Sequence, residues 1–426
     1  MSAYANFMID LAVEESAAGH FAEAEGFLRS VLGTSGRDAI VLYGMGHMAY
    51  RQGNLVEAVT LLRQSLAMDA SNAKAHNDLG LVLFWLGKEQ AAYASLMRAW
   101  TMDEALALAV MTEGIERLRQ GNFAEGWLKY EARLISRPGI LPRRQFTQPR
   151  WLGGENIAGK TILLHSEQGY GDAIQFVRYV PRVAALGATV VLEGHAPLMP
   201  LFHNIPGVTA TFALNDKLPN FDIQCPLMSL PLAFRTDLAS IPGDIPYLAA
   251  SSTLVAEWRQ RLGEHSRLRV GLAWSGNAAN EADRERSIAL ADLTPLFGLN
   301  GCEFHVVQTD IRDADRIVLH QLPNVLDHST TLASKGHFAE TAALISLLDL
   351  VMSVDTSVAH LAAALGKPVW LMVPSNPDWR WLCGRSDSPW YPSMRLFRQV
   401  LPGDWRGVIA AVVAMLRSHE SQRDAS

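Results

Sequence analysis

A 34-residue period constrains this chain more than any other feature. Gly19, Gly53, Gly87 and Gly121 stand 34 residues apart. Five residues after each glycine come Ala24, Ala58, Ala92 and Gly126. Nine after come Leu28, Leu62, Leu96 and Tyr130, and thirteen after come Leu32, Leu66, Trp100 and Leu134. A second glycine precedes the turn by seven residues, as Gly46, Gly80 and Gly114. A repeat of this length is one supersecondary unit that buries its apolar side by stacking on the next. The turn glycine permits a tight link between two helices. The small residue lets the helices of a pair approach, and the leucines fill the seams. Residues 4–134 therefore read as an array of paired helices that presents a face to a partner. Purely structural support is the alternative.

The pattern resembles the tetratricopeptide repeat, with about three and a half units. The resemblance implies an α-solenoid over residues 1–136 whose groove takes a protein partner. Composition narrows the rest. A formal net charge of -6 gives no overall pull toward nucleic acid. The three cysteines, Cys225, Cys302 and Cys383, form no C-x-x-C pair, which argues against a zinc knuckle or disulfide framework and fits a reducing compartment. The first residues lack the basic region of a signal peptide. The most apolar long stretch, LDLVMSVDTSVAHLAAALG, is broken by Asp355 and His360. We expect a cytoplasmic protein without a membrane span.

Residues 137–155, rich in Pro, Gly and Arg, read as a linker. Beyond it, apolar strands alternate with helices. The candidate strands are TILLHS, ATVVLEG, FDIQCPL, RVGLAWS, EFHVVQ, LDLVMSV and PVWLMV. Such alternation implies parallel sheets covered by helices. The pattern restarts near Arg269, so the expected fold class is α plus α/β. Two Rossmann-like domains, 156–262 and 263–426, would follow the solenoid. Ligands of such folds bind beyond the carboxyl ends of the strands, so functional residues should follow strands directly.

Four segments do so. After TILLHS, the turn Gln168-Gly169-Tyr170-Gly171 leads to Asp172, which should open a helix over 172–187. Asp172 is either a helix cap or a general base. After RVGLAWS, Ser275, Gly276 and Asn277 form a polar turn, followed by Arg284 and Arg286. These arginines suit phosphate, or a solvated loop. After LDLVMSV, Asp355-Thr356-Ser357 turns into a helix. The amides of Thr356, Ser357 and Val358 would form an anion site, with His360 one turn on along the same face. Asp355 as a cap and His360 as a packed core residue is the plainer reading. After PVWLMV, the cluster Trp379, Arg380, Trp381, Trp390 and Tyr391 could stack on a base, cover a cleft or form a small core. The pair Asp313 and Asp315 mimics a metal-binding D-x-D, but the charged helix around it should face solvent. Nothing has the ligand spacing of a metal site, and no phosphate-binding P-loop or serine elbow is present.

Taken together, EGWLKYEAR, PRWLGG, EQGYGDAIQFVRY, GLAWSGN, DRERSI, DLVMSVDTSVAHLAAALGKPVW and PDWRWL resemble a bacterial family that joins tetratricopeptide repeats to a glycosyltransferase of the GT-B fold. It is similar to the lipopolysaccharide heptosyltransferases and, more distantly, to the O-GlcNAc transferases. The resemblance implies sugar transfer from a nucleotide-sugar co-substrate, with no other cofactor and no metal. Asp172 matches the aspartate proposed as catalytic base, and Gln168, Gly169 and Gly171 form the acceptor-side turn. Asp355, Thr356, Ser357 and His360 match the segment that binds the donor's sugar and diphosphate. Val358, Ser275 and Asn277 fall on the donor side. Arg284 or Arg286 takes the place of the basic residue that neutralises the phosphates. Related proteins often carry histidine where Asn280 stands here. Some members of this architecture glycosylate flagellin docked on the repeats, which makes a protein acceptor the expected partner. A non-catalytic scaffold or sugar-nucleotide sensor, and a transferase acting on a lipid or glycan, are the alternatives.

Overall fold

The computed structural model describes residues 3–35, 38–136, 146–278 and 283–424. They divide between two compact units. One takes Met1–Arg117, Ala124–Arg144 and Leu152–Glu155, and the other takes Leu118–Phe123, Gln145–Trp151 and Asn156–Ser426.

The first unit is helical: α1 (Ala3–Ala18), α2 (Phe21–Ser35), α3 (Ala39–Arg51), α4 (Leu55–Met68), α5 (Ala73–Trp85), α6 (Glu89–Met102), α7 (Glu104–Arg119) and α8 (Phe123–Tyr130). The last two helices straddle the division. The four periodic glycines sit between the partners of each pair with φ between +71° and +89°, where an L side chain is strained. At Gly53 and Gly87 an added Cβ would meet nothing within 4 Å, so backbone conformation alone demands glycine there. The other glycine column has the opposite reason. A Cβ on Gly46 would lie 2.8 Å from Leu62 Cγ, on Gly80 2.5 Å from Leu96 Cγ, and on Gly114 2.7 Å from the Tyr130 amide nitrogen. The Gly46, Gly80 and Gly114 column thus keeps room for the Leu62, Leu96 and Tyr130 column that packs on it. Ala24, Ala58 and Ala92 are buried as the close-packing argument expects. The column of Leu32, Leu66, Trp100 and Leu134 is less regular than expected. Trp100 is buried and donates to Asn77 Oδ1 at 3.2 Å, whereas Leu32 is exposed and Leu66 and Leu134 are half-buried. A terminal repeat lacks a neighbour to bury its seam residue.

The second unit holds two parallel sheets. The strands are β1 (Thr161–His165), β2 (Thr189–Gly194), β3 (Val208–Ala213), β4 (Ile223–Pro226), β5 (Leu268–Ala273), β6 (Cys302–Val306), β7 (Val325–Asp327), β8 (Leu350–Val354), β9 (Val369–Val373) and β10 (Met394–Arg398). Their orders are β3-β2-β1-β4 and β10-β9-β8-β5-β6-β7. Central strands such as β8 and β9 are buried throughout, which is why they read as unbroken apolar runs. Three strands escape the sequence pattern. β3 is half exposed and Thr-rich, β7 has three residues, and β10 carries Arg395 and Arg398. All three lie at sheet edges, where burial does not enforce an apolar pattern.

The helix expected over 172–187 begins earlier and is broken. It runs as Tyr170–Phe176, a 3₁₀ turn Val177–Tyr179, and Val180–Ala185. Pro181 lacks an amide proton and clashes with a continuing helix, so it starts a new one. Of the expected linker, residues 137–145 lie outside the described residues. Its later part extends the first sheet: Arg150 bridges Gln224 in parallel, and the Trp151 amide donates to the Gln224 carbonyl at 2.9 Å. The D-x-D pair is split: Asp313 faces solvent as expected, and Asp315 does not. Asp315 is buried and accepts from Trp274 Nε1 and the Leu290 amide, both at 2.9 Å. It is a structural anchor, and its partners lie far away in sequence. Among the described residues, no helix is long and apolar enough to cross a membrane.

Candidate functional site

Each sheet sends one turn toward a common point. β1 ends at His165 and leads into the helix Tyr170–Phe176. β8 ends at Val354 and leads through Asp355 and Thr356 into the helix Ser357–Ala364. The first turns of these helices touch. A Cβ on Gly171 would stand 2.9 Å from His360 Cδ2 and 3.6 Å from Ser357 Cα. Two helix N-termini, each carrying unpaired amides and partial positive charge, are therefore brought together.

Asp172 is the third residue of its helix rather than the first. Its Oδ2 accepts the Gly169 amide at 2.9 Å, the carboxylate half of a capping box. Its Oδ1 accepts from Arg380 Nη2. Arg380 is buried, and it also donates from Nε to Gln175 Oε1 at 2.6 Å and from Nη1 to Asp378 Oδ1 at 2.8 Å. Its guanidinium lies 4.3 Å from the centroid of the Trp379 ring. The N-cap is Gly169 rather than Asp172 as expected; Asp172 reaches back to it from the third position, and an ion pair absent from the sequence reading accompanies that contact. Gly169 is exposed and Gln168 half-buried; the Gln168 carbonyl accepts from His195 Nε2 at 2.6 Å.

On the other side, Thr356 caps the helix Ser357–Ala364 through its backbone, with Thr356 and Ser357 half-buried and Val358 buried. His360 is buried, with Nε2 at 3.9 Å from Asp355 Oδ1 and Nδ1 at 2.8 Å from the Tyr391 hydroxyl. It stacks on Trp381 at 5.4 Å. Burial, then the charges of Arg380, Arg178 and Arg286, push His360 well below the usual imidazole range, so it is neutral near pH 7. Burial raises the Tyr391 phenol well above its ordinary value. A protonated phenol can donate to Nδ1, which leaves the Nε2 proton on the Asp355 side. Asp355 is pushed up to about 6, first by burial and then by the charge of Asp378, with Trp381, Arg286 and Arg380 pulling it back.

Arg286 joins the same place. Its Nη1 donates to the Asp355 carbonyl at 2.8 Å and its Nε to Asp283 Oδ1 at 3.2 Å, while Arg312 also pairs with Asp283. A Cβ on Gly276 would lie 2.5 Å from Arg286 Nη2 and from Asp283 Oδ1, so Arg286 packs directly over the Ser275–Gly276 turn. Ser275 is buried and bound by Gln308, whose Nε2 donates to its Oγ at 3.0 Å. Arg284 and Asn277 are exposed, so of the two arginines it is Arg286 that reaches the Asp355 turn. Asn280 lies outside the described residues.

The aromatic segment forms a small core. Trp379, Trp381, Trp390 and Tyr391 are all buried. Arg178 sits against this core, donating to the Trp390 carbonyl at 2.7 Å and to the Tyr247 hydroxyl at 3.1 Å, beneath the Tyr391 ring at 4.5 Å. Sequence reasoning noticed Arg380 only as one of a cluster and missed Arg178, Gln175 and Tyr247. An arginine inside the apolar run QFVRYV was the one available sign, since a buried cation needs satisfied donors around it. No group of three or more His, Cys, Asp or Glu suited to a metal ion occurs among the described residues.

Residues 303–377 match the sequence profile of glycosyltransferase family 9 (heptosyltransferase). The second unit therefore contains a heptosyltransferase-like domain, and the chain is a glycosyltransferase by class. Its sequence is 26% identical over 421 residues to Protein FlbA of Caulobacter vibrioides, an alignment covering 93% of this chain and 70% of that one. A family 9 glycosyl transferase from Veillonella parvula superposes with a TM-score of 0.47 at 11% identity, over 63% of this chain and 99% of the other. The E. coli ADP-heptose LPS heptosyltransferase II superposes with a TM-score of 0.45 at 14% identity, over 62% and 99%.

Proposed function

We propose that this glycosyltransferase moves a sugar from a nucleotide-activated donor to a protein acceptor held by the helical array. On this reading the paired helices are tetratricopeptide repeats, the first parallel sheet is the acceptor-side Rossmann-like domain, and the second is the donor side. The observation that supports it most is the meeting of two helix starts. Asp172 stands on one, and Asp355, His360 and Arg286 gather at the other, in a unit that matches family 9.

Asp172 takes the proton of the acceptor hydroxyl as its oxygen attacks the anomeric carbon. The bond from that carbon to the phosphate oxygen breaks, and the nucleotide diphosphate leaves. Amides at Thr356–Val358 and the Arg286 guanidinium compensate the departing charge. Protein groups then do what a metal would otherwise do. Asp355 and neutral His360 hold the sugar end of the donor. The resemblance to flagellin-modifying proteins makes flagellin the first acceptor to test.

The test is calorimetry of the full chain with ADP, UDP and GDP, followed by sugar transfer with the nucleotide-sugar of the base that binds. Asp172→Asn should retain nucleotide binding and lose transfer; full transfer by that variant removes Asp172 from the mechanism. A second reading has one observation in its favour. Both Asp172 oxygens already have protein partners, as a sensor that binds donors without turning them over would allow. Nucleotide binding without turnover on any acceptor is the result that selects it.

A further inference from the structure

We propose that Arg380 is a positioning residue for the Asp172 carboxylate, holding it in one orientation from the opposite sheet. The inference rests on the transferase reading above, with Asp172 as base.

Asp172 belongs to the helix that follows β1, and Arg380 to the loop that follows β9, 208 residues later. The guanidinium is held on several sides. Gln175, one turn beyond Asp172, accepts from Nε, and Asp378 accepts from Nη1 and from the Arg380 amide. The plane rests on Trp379, itself buried and stacked with Phe176 at 6.4 Å. Gln175 and Asp172 lie three residues apart, on one helix face, so the planar fork reads both at once. A single-point cation cannot reproduce that geometry. The Asp172 carboxylate is thus pinned at Oδ1 by Arg380 and at Oδ2 by the Gly169 amide. Its side chain remains 20% exposed, which leaves a face open to a hydroxyl. A base must sit within hydrogen-bond reach of the proton it takes, and displacement by about 1 Å costs on the order of 100-fold in rate.

A double-mutant cycle on the full chain tests this, with water as the acceptor so that no partner need be known. Release of nucleotide diphosphate from ADP-, UDP- and GDP-sugars is measured as kcat and KM, with ADP affinity measured separately by calorimetry. In the hydrolytic step a water proton goes to Asp172, the water oxygen bonds to the anomeric carbon, and the carbon–phosphate oxygen bond breaks. Arg380→Ala should lower kcat on the order of 100-fold with KM and ADP affinity within about threefold of wild type. Arg380→Lys should recover only part of the loss, and added guanidinium should restore activity to Arg380→Ala. In an Asp172→Asn background, Arg380→Ala should cost no more than about threefold further, since residues acting as a unit are not additive.

Equal losses with and without Asp172 would overturn the inference, as would a tenfold or greater fall in ADP affinity, which would make Arg380 a donor contact. If Arg380→Ala is too unstable to assay, Arg380→Lys and Gln175→Ala carry the same cycle. Normal kcat per folded molecule in both overturns it. Wild-type protein inert toward every nucleotide-sugar would instead remove the transferase reading on which the inference stands.

Discussion

Gly171→Ala puts the closest approach in the site under direct stress. The added methyl would lie 2.9 Å from His360 Cδ2, 3.5 Å from its Nε2 and 3.6 Å from Ser357 Cα, where ordinary contacts begin at 3.4 Å. About half an ångström must therefore be found. The imidazole cannot simply rotate away, because its Nδ1 is bound to Tyr391 and its face rests on buried Trp381. The Ser357 side is backbone and moves only with its helix. Overpacking of this kind costs about 1–3 kcal/mol, and weakening the Tyr391 contact adds up to about 1 kcal/mol. A total near 2 kcal/mol lowers the melting midpoint of a unit this size by about 3–4 °C. Tryptophan fluorescence of the full chain should report it, since Trp379, Trp381 and Trp390 lie in the adjoining core. Nucleotide affinity should fall as well, because the two helix starts are forced apart. Gly169→Ala is the control: its backbone is extended, with φ of -70°, and its nearest neighbour would be the Asp172 carboxylate at 3.3 Å. It should cost less than about 1 kcal/mol. A Gly171→Ala protein with the wild-type midpoint and unchanged nucleotide binding would refute the claim that the two helix starts are packed against each other.

Other consequences can be measured separately. His305 and His328 are stacked, with Nδ1 of one 3.1 Å from Nε2 of the other. Burial holds both below the ordinary value of 6.5, His328 at about 4. The unfolded chain takes up these protons first, so stability should be full above pH 6.5 and fall as pH drops toward 4; His328→Gln should flatten that fall in denaturant midpoints. Gly80→Ala drives a methyl to 2.5 Å from Leu96 Cγ and 3.0 Å from the Ala92 carbonyl, and should lower stability by about 1–3 kcal/mol, with loss of helical circular dichroism at a lower temperature. Asp315→Ala strands the buried Trp274 indole proton and the Leu290 amide, and should cost about 2–4 kcal/mol in the same assay.

The parts of the fold that were legible in the sequence are those whose physics is local or periodic. Two glycine columns and the leucines between them mark the helix pairs, because turn conformation and close packing recur every 34 residues. β8 and β9 were legible because burial on both faces leaves a continuous apolar run, whereas edge strands β3, β7 and β10 face no such demand. The site divides the same way. Asp355, Thr356 and His360 follow one strand within six residues, and their turn-to-helix geometry can be read directly. Arg380 could not be placed, since its partners Asp172 and Gln175 lie 208 and 205 residues away. Asp315 was misread for the same reason: its charge suggested solvent, and its distant partners buried it.

The central claim is that this chain attaches sugar to a protein. Intact-mass spectrometry of the proteins of a strain carrying the gene, a strain lacking it and a strain carrying Asp172→Asn tests it most directly. The account predicts at least one protein, flagellin foremost, heavier by whole sugar residues in the first strain and unmodified in the other two. Identical protein masses in all three strains would contradict it.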